Sequence, residues 1–160
     1  MTFTEAFLHK IQETSNKNDP FYADTGELNL INTLFDLFVA GSDTTATTLD
    51  WAILFMIQNP EVQSKVQQEL NQNFESKKAS FNEKHRTPYT EAVIHEIQRR
   101  GNIVPLSLFH STKSTVGIGN YFVPQDTIII PFIGDIMHDP EHFPEPFEFK
   151  PKRSEFLKED

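Results

Sequence analysis

The chain has 160 residues, enough for one domain that buries roughly 70% of the surface its unfolded form would expose. Fourteen Lys+Arg against 23 Asp+Glu leave a formal net charge of -9, which excludes a phosphate-backbone binder, since such proteins need a basic stripe to release counterions. With no cysteine, these residues can form no disulfide, thiolate nucleophile, Cys-ligated zinc or iron–sulfur cluster.

Along the chain, Phe3, Phe7 and Ile11 stand at helical spacing, so the first residues read as a short amphipathic helix. Met1 to Lys10 lack the basic start and apolar middle of a signal peptide. Residues 18–25 join that helix to a much longer one, expected over about Glu27 to Gln58. Its apolar positions Leu30, Leu34, Phe38, Leu49, Ala52 and Phe55 keep a helical period. At 1.5 Å per residue it would be about 48 Å long. After Asp50 it is apolar on nearly all sides, the pattern of a helix running through a core. Its longest wholly apolar run, Trp51 to Ile57, is far short of the about 20 residues that cross a bilayer.

Asn59-Pro60 ends that helix and starts the next, with Asn59 as the expected cap and Val62, Val66 and Leu70 on one face. Asn71 to Arg86 is polar and charged and reads as a solvated connection. A compact helix is predicted over 88–100, capped by Thr87, started by Pro88 and ended by Gly101. Of ten prolines, seven fall between Pro105 and Pro151, so the last third reads as strands and turns. The predicted strands are Leu106–His110, Thr115–Ile118, Asn120–Val123 and Thr127–Ile133, a β-rich region over about 106–133. The expected fold class is mainly α with a small β-sheet.

Three places could carry chemistry. The centre of the long helix, Ala40-Gly41-Ser42-Asp43-Thr44-Thr45-Ala46-Thr47-Thr48, is a poor helix sequence, because glycine there costs about 1 kcal/mol relative to alanine. Either its threonines bond back to carbonyls four residues earlier in a buried helix, or Ala40-Gly41 admits a flat ligand beside which Asp43 and Thr44 relay protons. Glu96 and Arg99, three apart, project from one helical face and can pair; exposed pairs of this kind are worth less than about 1 kcal/mol. His138-Asp139-Pro140-Glu141-His142 has the His-x-x-Glu-His spacing of one zinc peptidase class. Pro140 is tolerated only in a first turn, so the two histidines cannot share a helical face, and the zinc reading fails.

Taken in order, Ala40 to Thr45, Tyr89 to Arg99, His138-Asp139-Pro140 and Phe149-Lys150-Pro151-Lys152-Arg153 resemble the cytochrome P-450 family, most closely its microsomal steroid- and xenobiotic-oxidising branch. The resemblance covers nearly the whole chain from about Leu28 and implies a partial cytochrome P-450 fold, with residues 1–160 forming part of a single domain. It implies a haem-thiolate monooxygenase that takes electrons from NADPH through a reductase and inserts one oxygen atom from O2 into a small hydrophobic substrate, a steroid, fatty acid or xenobiotic. By that resemblance the long helix crosses the distal face of the haem. Asp43 and Thr44 match the catalytic acid and alcohol that deliver protons. Ala40 and Gly41 match the place where helix meets porphyrin, and His110 matches a residue holding a haem propionate. Asp36, Val39, Val104, Leu106 and Leu108, with Ala40, match positions lining the substrate pocket, and Glu96, Arg99 and Arg153 a buried ion network.

Two departures from the family pattern stand out. Lys152 and Ser154 replace the acid and the second aromatic that usually flank the last arginine. The family's haem-ligating cysteine loop has no counterpart, so no metal ligand is expected in this chain. The expectation is an internal fragment, inactive alone, of an endoplasmic reticulum protein whose membrane anchor lies outside it. The alternative is a non-catalytic relative that binds lipophilic ligands.

Overall fold

Thr2 opens the first helix with a reciprocal cap: its hydroxyl accepts from the Glu5 amide at 3.2 Å, and the Glu5 carboxylate accepts from the Thr2 amide at 2.7 Å. The computed structural model describes residues 1–74, 78 and 80–153. Helix α1 covers Phe3–Glu13, α2 Ala23–Gln58, α3 Pro60–Phe74 and α4 Pro88–Gly101, with a 3-10 turn at Phe81–Arg86 between the last two. The end of the expected connection at 75–77 and 79 lies outside the described residues. Then come β1 (His110–Ser111), β2 (Val116–Ile118), β3 (Tyr121–Val123), β4 (Ile128–Ile129), the short helix α5 (Ile133–Met137) and a 3-10 turn at Pro151–Arg153. The chain is mainly helical, and among the described residues no helix is long and apolar enough to cross a membrane.

The contacts divide the chain into two units, residues 1–46 and residues from Thr47 onward. In the first unit, Phe7 packs between Phe3 and Phe21, with ring centroids 5.8 and 4.8 Å away. Helix α2 begins four residues before Glu27, at Ala23, whose positive φ of 42° turns the chain into it. In the second unit, Phe55, Val62, Val93 and Ile97 form a buried core from α2, α3 and α4. Phe55 stacks on Trp51 at 5.5 Å and lies nearly parallel to Phe149 at 4.6 Å.

Several sequence expectations are corrected here. The last turns of α2 are not buried on all sides: Phe55 is buried, while Leu49, Ile53 and Ile57 are exposed. Asn59 does not cap α3 with its side chain, which donates back to Phe55 O at 2.8 Å; its main-chain carbonyl receives Val62 N–H instead. Thr87 does not cap α4 either, because its hydroxyl donates to Lys84 O. That role passes to Glu69 of α3, whose carboxylate accepts the Tyr89 and Thr90 amides at 2.9 and 2.7 Å and the Thr90 hydroxyl at 2.6 Å. Gly101 belongs to α4, and Asn102 takes the left-handed cap at φ 38°. Glycine at 101 matters for another reason: a Cβ there would stand 3.1 Å from the Trp51 ring, which would have to give by a few tenths of an ångström.

The β region is smaller than predicted and forms two antiparallel ribbons rather than one sheet. His110 faces Ile129 across β1 and β4, and Val116 faces Val123 across β2 and β3. Leu106 to Phe109 are not strand, because Ser107 turns to φ 54°. Ile133 opens α5 instead of closing a strand. Buried Thr112 holds the turn before β4: its hydroxyl donates to Pro124 O at 2.7 Å and accepts Thr127 N–H at 3.0 Å.

Candidate functional site

Helical periodicity alone places Asp36, Val39, Ala40, Asp43 and Thr44 of α2 on one stripe, since they follow one another at intervals of three and four. All five are exposed, so this part of the helix is not the buried one that back-bonding threonines suggested. The back-bonding itself occurs: Thr44 Oγ1 donates to Ala40 O at 2.6 Å, and Thr33 does the same to Asn29 O. Gly41 lies beside Thr44, and a Cβ built there meets nothing within 4 Å. The helix therefore offers a carboxylate and a hydroxyl on one stripe, flanked on the Thr44 side by an approachable backbone at Gly41.

In the second unit, Glu96 and Arg99 sit one turn apart on α4 and are both buried. Arg99 grips the carboxylate with two bonds, Nε to Oε2 at 2.8 Å and Nη2 to Oε1 at 2.9 Å. Arg153 Nε donates to the same Oε1 at 3.1 Å, and so does the Lys150 amide at 2.9 Å. One carboxylate thus faces two guanidiniums, and the surplus positive charge is spread over main-chain carbonyls. Arg99 donates to Met137 O at 2.6 Å and Pro146 O at 2.8 Å, and Arg153 to Pro144 O at 2.7 Å and Glu148 O at 3.2 Å. A proline-rich stretch has few amides of its own to satisfy such carbonyls. The network supplies the donors and so fixes the course of residues 137–153.

Arg100 has different partners on the same stretch of chain. Burial, followed by the neighbouring Arg99, lowers its pKa from the usual guanidinium value. Its Nη1 lies 3.4 Å from His138 Nε2, and its guanidinium lies over the Phe147 ring. His138 Nδ1 is 2.8 Å from Gly134 O, which can only accept, so Nδ1 carries the proton and Nε2 receives Arg100. His142 pairs instead with Asp139 at 2.9 Å. The two histidines of the zinc-like motif thus have separate partners.

A cavity of about 630 Å³ opens against the ion network, walled by Trp51, Ile97, Val104, Ile133, Met137 and Phe143. Of the pocket residues named from sequence, Val104 reaches it, whereas Leu106 and Leu108 are exposed and do not line it. His110 is exposed on β1. The structure also brings in groups that sequence reasoning missed, the Lys150 amide, the carbonyls of residues 137–148 and Glu69. Main-chain donors and acceptors leave no trace in residue identity, so only the proline density of 140–151 could have signalled them.

The profile of the cytochrome P450 family matches residues 1–160. The chain belongs to the cytochrome P450 family. It is 36% identical to cytochrome P450 2A13 of Homo sapiens, over 99% of this chain and 33% of that protein. It is 39% identical to cytochrome P450 2K1 of Oncorhynchus mykiss, over 98% and 31%, and 38% identical to cytochrome P450 2C20 of Macaca fascicularis, over 93% and 30%. The chain spans about a third of the length of these relatives.

Cytochrome P450 membership implies haem, and the residues present fit one face of it. The open side of α2 at Gly41 has room for a flat ring against the backbone, and Thr44, three residues on, lies beside it. The thiolate that ligates such a haem cannot come from these residues, which include no cysteine.

Proposed function

We propose that these residues form the distal helix and ion-network core of a cytochrome P450 monooxygenase that inserts one oxygen atom from O2 into a small hydrophobic substrate. The observation that carries this reading is the α2 stripe, where Asp43 and Thr44 share a face with Ala40 and the uncovered Gly41 flanks it on the Thr44 side. Haem, when bound, supplies the oxygen and one-electron chemistry. The protein's part is to orient and to move protons. Thr44 Oγ1 donates to Ala40 O at rest; rotation about χ1 redirects the hydroxyl proton, and Asp43 on the next position replaces it. Ala40 and Gly41 set how closely the ring approaches, and His110 holds a propionate. By the family resemblance Asp36, Val39, Val104, Leu106 and Leu108 are substrate-pocket positions of the whole enzyme; of these Val104 walls the cavity described above, and the apolar ones suit a steroid, fatty acid or xenobiotic.

In this reading residues 1–160 contribute to a single domain, electrons come from NADPH through a reductase, and the working enzyme is held at the endoplasmic reticulum membrane. The 160 residues alone do not catalyse, because a thiolate from other residues is required. A chimera carrying this chain in place of the matched third of human cytochrome P450 2A13 tests the proton role. Thr44→Ala should lower product formation by about 10²-fold while Thr44→Ser retains most of it. Equal activity of the alanine variant would refute the role of Thr44.

The cavity of about 630 Å³ favours a second reading, a relative that carries lipophilic ligands without oxidising them. That reading requires the chain by itself to be monomeric and to bind a hydrophobic probe with measurable affinity.

A further inference from the structure

The cavity against the ion network lies wholly within the second unit, between the end of α2, α4, α5 and the chain from Phe143 to Arg153. Two kinds of surface meet in its wall. Trp51, Ile97, Val104, Ile133, Met137 and Phe143 make it apolar, whereas α4 and the turn at Pro151–Arg153 bring charge. Glu96 is the one carboxylate of the lining and faces two guanidiniums, Arg99 and Arg153, so the wall of an acidic protein carries a surplus of one positive charge.

Arg99 also keeps an uncommitted donor there. A guanidinium has five N–H bonds. Four are taken: Nε donates to Glu96 Oε2, Nη2 to Glu96 Oε1 and Pro146 O with Glu148 O more distant at 3.5 Å, and Nη1 to Met137 O. Among the described residues the second hydrogen of Nη1 has no acceptor, although the Arg99 side chain is only 5% exposed. A buried cation with a spare donor, set in an apolar wall, favours an acceptor that carries negative charge. Glu96 is poorly placed to be that acceptor, since its Oε1 already receives Arg99, Arg153 and the Lys150 amide and its Oε2 receives Arg99.

We propose that this cavity binds a lipophilic carboxylate, with its apolar body against the aromatic and aliphatic wall and its anionic head on the Arg99–Arg153 side. The inference rests on the ligand-carrier reading of the cavity and adds the charge of the ligand to it. The volume of about 630 Å³ falls within the range of about 300–1,000 Å³ common to small-molecule sites. A cationic amphiphile would set like charge against two guanidiniums, and a neutral lipid would leave the Nη1 hydrogen unpaired.

Isothermal titration calorimetry of the full 160-residue chain with decanoate and with decanol gives the test. Decanoate should bind at one per chain and about fivefold or more tighter than decanol. Gln98 lines the cavity and is exposed, so Gln98→Glu adds negative charge to the wall from outside the core. It should weaken decanoate about fivefold and leave decanol unchanged. Val104→Trp, which fills the cavity from a residue 42% exposed, should weaken both with an unchanged circular dichroism spectrum. Equal affinity for acid and alcohol would overturn the anionic class while the carrier reading stands, and binding of neither would overturn both. Decanoate binding that Gln98→Glu and Val104→Trp leave unchanged would contradict the site.

Discussion

Glu96 Oε1 accepts from Arg99, Arg153 and the Lys150 amide, so a single oxygen holds together α4 and the turn at Pro151–Arg153. Removing the charge while keeping the shape, as in Glu96→Gln, leaves two arginines facing each other without a counter-ion. The expected cost is about 3–5 kcal/mol in urea unfolding. A loss below about 1 kcal/mol would show that solvent, not the carboxylate, neutralises them. Asp139 carries a smaller and pH-dependent term. The Glu141 amide, then the His142 ring, hold its carboxyl below the ordinary value of 3.8. A lowered folded pKa contributes stability that is complete above 3.8 and lost as pH falls through the folded value. A carboxyl-carbon NMR titration should therefore place Asp139 below 3.8, and a midpoint at or above it would contradict the hydrogen-bond assignment. At this scale spacing offered Glu96 and Arg99 as a possible pair, and Arg153 joined them only through the family resemblance. Lys150 N–H and Pro146 O were invisible, because every residue but proline has the first and every residue the second.

Helix α4 shows how an element can be predicted for a partly wrong reason. Pro88 starts it, as its position after Thr87 suggested, yet the orphan amides of its first turn are taken by a carboxylate from α3. Glu69→Ala should cost about 0.5–2 kcal/mol, the range of a lost N-cap, while Thr87→Val should leave the cap intact. If the two variants lost equal stability by thermal unfolding, Thr87 rather than Glu69 would be the cap. Such tertiary caps are not legible in sequence, since Glu69 looks like any polar residue on the outer face of an amphipathic helix. The strand predictions failed for a related reason. Leu106 to Phe109 have strand-like composition, but the positive φ at Ser107 and the bond from Gly134 N to Pro105 O at 2.9 Å steer this segment out of a ladder. Tertiary contacts override local propensity there.

Across the whole chain, large apolar side chains stand uncovered on α2, among them Leu28, Ile31, Phe35, Phe38, Leu49, Ile53 and Ile57. The helical period of Leu30, Leu34, Phe38, Leu49, Ala52 and Phe55 made α2 readable from sequence, but spacing cannot say what a face packs against. Apolar surface of this extent drives association, so the isolated chain should elute from size-exclusion chromatography as a concentration-dependent oligomer. A stable monomer would favour the ligand-carrier reading instead. The central claim, that these residues serve a haem-thiolate centre without supplying its ligand, is tested most directly by the carbon monoxide difference spectrum of the reduced, haem-loaded protein. The 160 residues alone should give no thiolate-type band, and the chimera with cytochrome P450 2A13 should give a full one. A thiolate-type band from the isolated chain, or none from a folded, haem-loaded chimera, would contradict it.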